Sequence, residues 1–252
     1  MFTYLTYEAT DQVCWITFNR PNQLNAMNRA FMDEIIDAFH KANKDQDIRV
    51  VVVTGNGRAF MAGADLKEYA GQTDAEFKSF QERGWELYRA AETSSKPYIA
   101  MVNGYAMGGG FEIALACDLI IASRNAVFGL PEVHLGLVPG GGGTQKLYSR
   151  IGLGRAMEML MLGGRYTAEE MHQWGIVNFL ADDDGLHALT QETAAKLVRR
   201  LPQALNNLKH LVRQSAQPDI SAQGMRAEAQ ALSELFHLPE VAKKLQDFMN
   251  KN

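Results

Sequence analysis

Hydrophobic and polar positions divide the start of the chain into a strand, a helix and a second strand. Val13–Phe18 is rich in β-branched and aromatic residues, which favours a strand. Apolar residues then recur at helical spacing over 31–39, with Asn28 as the predicted N-cap. Residues 50–53 are four valines without alternation, which is typical of a strand buried on both faces. This order predicts a right-handed crossover in a largely parallel sheet.

The α/β pattern continues to about residue 143, where helical periodicity takes over. The later predicted elements are a helix at 75–93, strands at 98–102, 118–122 and 127–129, a short helix at 112–117, and helices at 144–150, 154–162, 167–174, 186–200, 202–216, 221–236 and 239–250 with a brief strand at 177–179. We therefore predict an α/β first half and a nearly all-helical last third.

Composition excludes several classes of protein. The 252 residues carry 25 Lys and Arg against 29 Asp and Glu, and a net charge of −4 gives no overall attraction to nucleic acid or anionic lipid. No apolar stretch reaches the ~18 residues of a membrane span, and the N-terminus does not resemble a signal peptide. Cys14 and Cys117 are too few for a disulfide framework or a structural zinc site. We predict a soluble, most simply cytoplasmic protein without a metal or a nucleic-acid or membrane partner.

Glycine-rich turns are the strongest local signal. Residues 103–110 lie between a predicted strand and a helix, and residues 61–66 follow the valine strand. Glycine lets backbone N–H groups approach a ligand closely, and two such turns at one sheet edge could supply one oxyanion-hole donor each. A dinucleotide site is disfavoured, because the turn does not follow the first strand and no acidic residue ends a strand about 20 positions later.

Two glutamates stand out because their neighbours are apolar. Glu112 opens the uncharged run 111–117, and Glu132 lies within the apolar segment 128–137. A structural interpretation remains open, since a glutamate in a first helical turn is favoured by the helix dipole and Pro131 suits the first helical position. If the two carboxyl groups share one pocket, desolvation and mutual repulsion raise or separate their pKa values, as an acid/base pair requires.

Four stretches of the sequence together resemble one known family. They are residues 19–21 with 24–26, 59–67, 102–112, and 128–132 with 136–145. In this order and spacing they resemble the enoyl-coenzyme A (CoA) hydratase/isomerase, or crotonase, superfamily, nearly from end to end. The chain departs from the pattern at Lys243–Phe248, where the family often has an acidic-glycine pair before an Ala-Phe step.

The resemblance implies an α/β fold: a crotonase-like spiral of ββα units over 1–195, followed by a helical C-terminal trimerisation region over 196–252. It implies an acyl-CoA thioester as substrate and a homotrimer, or a hexamer built as a dimer of trimers. No cofactor is implied, because CoA is part of the substrate.

The resemblance also implies roles for individual residues. The peptide N–H groups of Ala64 and Gly109 would form the oxyanion hole, Glu112 would activate water and Glu132 would transfer a proton. The substrate- and CoA-binding residues would be Ala62, Ala64, Asp65, Leu66, Lys67 and Gly109.

Retention of both glutamates indicates the hydratase subclass, because isomerases of the superfamily typically keep one of them or neither. The sequence predicts an enoyl-CoA hydratase that adds water across the 2,3 double bond of a 2-enoyl-CoA, in fatty-acid or related acyl-CoA catabolism such as β-oxidation. A carnitinyl-CoA dehydratase or a cyclic-enoyl-CoA hydratase remains open. An enoyl-CoA isomerase and a non-catalytic RNA-binding relative are disfavoured, the latter by the net negative charge as well.

Overall fold

A computed structural model of the chain describes residues 2–215 and 220–250. Its strands are β1 (Leu5–Thr10), β2 (Val13–Phe18), β3 (Val50–Gly55), β4 (Ala59–Met61), β5 (Tyr98–Val102), β6 (Tyr105–Met107), β7 (Leu119–Ser123), β8 (Val127–Gly129), β9 (Tyr166–Thr167) and β10 (Phe179–Ala181). Its helices are α1 (Arg29–Lys44), α2 (Leu66–Tyr69), α3 (Asp74–Glu92), α4 (Gly109–Ala116), α5 (Gly143–Leu162), α6 (Ala168–Gln173), α7 (Leu186–Val198), α8 (Pro202–Ser215), α9 (Ile220–Phe236) and α10 (Pro239–Met249).

The strands form two sheets that the chain visits in turn. One sheet has the order β1-β2-β3-β5-β7-β10, parallel except for the antiparallel β1–β2 pair. The other has the order β4-β6-β8-β9, parallel except for β8–β9. Each repeat places one strand in each sheet and then a helix, as in β3-β4-α3, β5-β6-α4 and β7-β8-α5. The predicted spiral of ββα units and the helical C-terminal region are confirmed.

The predicted opening crossover is confirmed in its details. The Asn28 side chain accepts a hydrogen bond of 2.9 Å from the Phe31 N–H and caps α1. The valines of β3 are fully buried, because Val51 and Val53 belong to the apolar cluster that includes α1 and Val50 and Val52 to a second cluster that includes α7. Cys14 and Cys117 are buried free thiols.

Two differences from the sequence-based elements have simple causes. Strand β1 was not predicted, because most of its side chains are exposed or half-buried and it has no apolar run. The strand predicted at 177–179 begins later, at Phe179, because Asn178 instead accepts from the Ile120 N–H through its side chain at 2.7 Å. Residue 216, the predicted end of a helix, lies outside the described residues.

Among the C-terminal helices, α8 has its charged side packed against its own subunit and apolar residues exposed. In α8, Lys209 is buried against Asp118, with 2.8 Å between Nζ and Oδ2, and Arg213 lies 2.9 Å from the other oxygen of the same carboxylate. Leu208 and Leu211, on the same helix, are 59% and 63% exposed. No helix in the described part of the chain is long and apolar enough to cross a membrane. The division at residue 195 and the trimer remain predictions.

Candidate active site

The predicted site residues converge on one cavity between the sheet edges and helices α3 and α9. The volume of this cavity, including its solvent-open entrance, is about 800 Å³, which is within the range of small-molecule sites. The predicted residues that line it are Ala62, Ala64, Leu66, Gly109, Glu112 and Glu132. The structure therefore brings both glutamates and both predicted oxyanion-hole residues together.

The two glycine-rich turns lie against each other at the edge of this cavity. Gly63 and Gly108 have positive φ angles of 103° and 51°, which glycine adopts at little cost. The turns are so close that a Cβ on Gly63 would lie 3.9 Å from the Gly109 nitrogen. Neither the Ala64 nor the Gly109 N–H donates to a protein acceptor in the described residues. Both amides are thus free to donate to a ligand.

Glu112 is a buried carboxyl group held by a glycine-rich loop at residues 140–144. It lies in the first turn of α4, and its Oε1 accepts hydrogen bonds from the N–H groups of Gly141 at 2.7 Å and Gly143 at 2.8 Å. Burial, followed by the negative charge of Glu228, raises the pKa of Glu112 to about 7, although Lys146 and the two N–H donors oppose this. A carboxyl group with that pKa serves as a general base near neutral pH.

Glu132 approaches the same space from the short 3₁₀ helix Pro131–Leu135, where Pro131 is at the helix start as predicted. A Cβ on Gly108 would lie 3.0 Å from its Oε1, so the carboxyl group lies against the oxyanion-hole turn. Its Oε2 is buried without a hydrogen-bond partner among the described residues. Burial, together with the charge of Glu112, raises the pKa of Glu132 well above its usual range. Burial therefore favours the protonated form of Glu132, which suits a proton donor.

The rest of the cavity wall is mostly apolar. Helix α3 contributes Phe80, Gly84 and Tyr88, and α9 contributes Leu232. An apolar wall excludes water from the carboxyl groups and accommodates an aliphatic group. Gln81 is a polar exception on the same helix.

Two predicted CoA-binding residues do not line the cavity. The Asp65 carboxylate forms an ion pair with Arg20, with 3.3 Å between the atoms, and its own N–H donates to the Met27 carbonyl. The Lys67 side chain is exposed at the start of α2. Their binding roles remain predictions.

Sequence reasoning missed Glu228, which is buried on α9 and accepts hydrogen bonds from the same glycine loop. Its neighbours in sequence include the polar residues Arg226 and Gln230, so no apolar context marks it. The role of the loop at 140–144 in holding Glu112 was also missed. The four consecutive glycines at 140–143 are the signal that could have revealed it.

Comparisons with known proteins agree with this geometry. The family model for "Enoyl-CoA hydratase/isomerase" matches residues 8–252. The 2,3-dehydroadipyl-CoA hydratase of Escherichia coli is 37% identical, over 95% of this chain and 93% of its own length. The short-chain-enoyl-CoA hydratase of Clostridium acetobutylicum is 36% identical, over 97% of this chain and 94% of its own.

Solved structures give the same result. The crystal structure of an enoyl-CoA hydratase from Mycobacterium avium subsp. paratuberculosis superimposes with a TM-score of 0.90 at 29% identity, covering 98% of this chain and 99% of that one. An enoyl-CoA hydratase from Bacillus anthracis gives a TM-score of 0.83 at 35% identity, with coverages of 99% and 97%. The chain belongs to the enoyl-CoA hydratase/isomerase family.

Proposed function

We propose that this protein is an enoyl-CoA hydratase, which adds water across the 2,3 double bond of a 2-enoyl-CoA thioester. The observation that carries the proposal is one cavity with two buried carboxyl groups, Glu112 and Glu132, beside the free amides of Ala64 and Gly109. The likeness to named hydratases over nearly the whole chain supports it.

The two amides bind the thioester oxygen. As water attacks Cβ, electron density moves from the double bond to this oxygen, and an enolate forms. N–H groups already aimed at that position stabilise the charge without reorganisation, and one such donor is typically worth ~3–4 kcal/mol in the transition state.

The two glutamates carry out the proton transfers. The Glu112 carboxylate accepts a proton from water while the water oxygen bonds to Cβ, and protonated Glu132 donates its proton to Cα. The product is the 3-hydroxyacyl thioester. Afterwards Glu112 gives up a proton and Glu132 regains one by exchange with solvent. The raised pKa values of both groups match these roles, because each group must change protonation state near neutral pH. The reaction requires no cofactor besides the CoA of the substrate.

The substrate enters along residues 62–67, in this proposal, with the pantetheine arm beside Ala62 and Leu66. Both residues line the cavity. The acyl group extends towards Phe80, Gly84 and Leu232, where the wall is apolar. We expect short and medium acyl chains to fit, as part of fatty-acid or related acyl-CoA catabolism.

A second copy of the chain covers the apolar side of α8 in the proposed trimer or hexamer. Lys209 and Arg213 anchor the polar side of this helix to Asp118 of the same subunit, so Leu208 and Leu211 face outward. The exposed apolar residues of α5, Leu153, Met157 and Met161, provide more surface of this kind. Such patches mark protein–protein contacts.

A cytoplasmic location is proposed from the cysteines alone. Cys14 and Cys117 are buried as free thiols, which suits a reducing compartment.

The test of function is water addition to crotonyl-CoA, followed by the loss of absorbance of the enoyl thioester. Wild-type protein should hydrate it, and E112Q should lose at least 100-fold in kcat with KM within a few-fold, because glutamine keeps the shape but removes the base. E192Q, which changes an exposed glutamate on α7, is the matched control and should retain wild-type activity.

The same assay with carnitinyl and cyclohexenyl thioesters identifies the acyl group. Failure of the wild-type protein to hydrate any of the three thioesters would contradict the proposed function. Near-full crotonyl-CoA hydration by E112Q would contradict the base assignment.

A further inference from the structure

Glu228 holds the loop that holds Glu112. Its Oε1 accepts a hydrogen bond from the Gly142 N–H at 2.7 Å, and its Oε2 accepts from the Thr144 N–H at 3.2 Å and from the Thr144 hydroxyl. Glu112 accepts from the amides of residues 141 and 143. Two buried carboxyl groups on different helices therefore bind alternate amides of four consecutive residues.

This arrangement fixes the loop from both sides. Rotation of any one peptide out of the loop would break a hydrogen bond to a buried carboxyl group, which leaves a costly unsatisfied acceptor. Glu228 also lies one helical turn before Leu232, which lines the cavity. Helix α9 thus connects the loop behind Glu112 to the cavity wall.

We propose that Glu228 is a positioning residue for the hydration, which acts through the loop at 140–144 to orient and electrostatically tune the base Glu112. Glu228 is not among the residues that line the cavity, so its effect on the reaction passes through the loop. This inference rests on the proposed hydratase function.

Several charged and titratable groups surround Glu228 and Glu112 and influence the pKa of Glu112. Lys146 on α5 lies 3.0 Å from Glu92 of α3, and it donates to the Gly141 carbonyl at 2.6 Å. Tyr88 of α3 faces the glutamates with its ring beneath the Lys146 ammonium. Two further groups are Glu132 on the 3₁₀ helix, whose pKa also responds to Glu228, and Tyr69 of α2, whose pKa responds to Glu132 and Glu112. Lys146 opposes the effect of Glu228 on Glu112.

The sign of the effect follows from these charges. After burial, the charge of Glu228 is the largest cause that raises the pKa of Glu112. Burial raises the pKa of Glu228 itself, while its bonds to Thr144 and Gly142 and the charge of Lys146 favour its carboxylate. Removal of the Glu228 charge should therefore lower the pKa of Glu112.

The test is the E228Q variant, which keeps the side-chain shape and an acceptor for the Gly142 N–H. We expect kcat for crotonyl-CoA to fall at least 10-fold with KM within a few-fold. The acid limb of the kcat/KM profile should shift to lower pH by at least half a unit. E234Q changes an exposed glutamate of the same helix, and it should leave both quantities unchanged.

A second variant separates position from charge. T144V removes the hydroxyl that donates to Glu228 but keeps the carboxylate, so kcat should fall several-fold in a variant that still folds, without a shift of the acid limb to lower pH. If E228Q does not fold, T144V decides alone, and an unchanged kcat overturns the proposal. An E228Q variant that folds with an unshifted acid limb also overturns it.

A titration of the Glu112 carboxyl group without substrate tests this inference independently of the proposed function. The carboxyl stretch of Glu112 is assigned by infrared difference spectra as the band that E112Q lacks. In E228Q this band should titrate at lower pH than in the wild type, whatever the enzyme turns over. An equal or higher midpoint overturns the inference, whereas a wild-type protein that hydrates no thioester contradicts the proposed function instead.

Discussion

Glu112 is buried where ionisation of a carboxyl group is costly, although two peptide N–H groups donate hydrogen bonds to it. Its raised pKa means that the folded protein binds more protons than the unfolded chain between the ordinary value of 4.5 and about 7. The unfolding free energy of the wild type must therefore fall, relative to a variant without this carboxyl group, as pH rises through that window. The site gains a base at the expense of stability.

E112Q provides the comparison, because its amide oxygen can still accept from Gly141 and Gly143. We expect the stability of E112Q minus that of the wild type to grow by about 1–3 kcal/mol between pH 4.5 and 7.5 and to level off above the folded pKa. Urea unfolding at several pH values measures this difference. A difference that shrinks as pH rises would mean that Glu112 is stabilised as a carboxylate.

Among individual residues, the sequence allowed prediction of those buried site residues that have apolar neighbours. Glu112 and Glu132 interrupt uncharged runs, so their burial could be expected. Glu228 could not be found this way, because polar residues lie two positions away on either side and its burial depends on the distant loop at 140–144. Tertiary contacts of this kind leave no local pattern.

Among the elements, α4 determines where Glu112 points, because it packs directly on β4. A Cβ on Gly110 would lie 2.2 Å from the Met61 carbonyl oxygen, so only glycine allows this approach. Gly154 is a contrasting helical glycine, since a Cβ there meets no atom within 4 Å.

G110A and G154A form a matched pair of glycine-to-alanine changes. We expect G110A to destabilise the fold by about 1–3 kcal/mol through overpacking and to reduce hydration by displacing Glu112. G154A should stabilise by about 0.5–1 kcal/mol, because alanine is the better helix former. Urea unfolding with a parallel crotonyl-CoA assay measures both. Equal effects of the two changes would show that contact between α4 and β4 does not position the base.

Elements with a strong apolar pattern were predictable, and the short strands β4 and β6 were not. Helix α1 and strand β3 carry strong periodic or continuous apolar signals over many residues. Strands β4 and β6 span three residues each, too few for a period to be recognised, and they exist because they pair with each other in the second sheet.

At the level of the whole molecule, helix α8 exposes apolar side chains and buries charged ones. A single subunit in water does not explain this arrangement. The helix presents Leu208 and Leu211 to the outside while Lys209 is buried. Water contact with this apolar surface is unfavourable, and the proposed association with further copies would remove it.

Sedimentation at micromolar concentration should show three or six chains. L211E places a charge on the apolar side and should shift the distribution to smaller species, whereas Q191E adds the same charge at an exposed polar position of α7 and should not. A wild-type monomer at this concentration would contradict the proposed assembly.

Deuterium exchange at Cα of butyryl-CoA, followed by mass at matched occupancy of the site, separates the roles of Glu112 and Glu132. Exchange requires a group that reaches Cα while the amides of Ala64 and Gly109 hold the enolate, but it requires no attack by water. E132Q should therefore abolish exchange together with hydration, and E112Q should stop hydration while retaining more of the exchange. Faster exchange by E132Q than by E112Q would reverse the two roles. Wild-type exchange in both variants would show that the acid/base pair lies elsewhere.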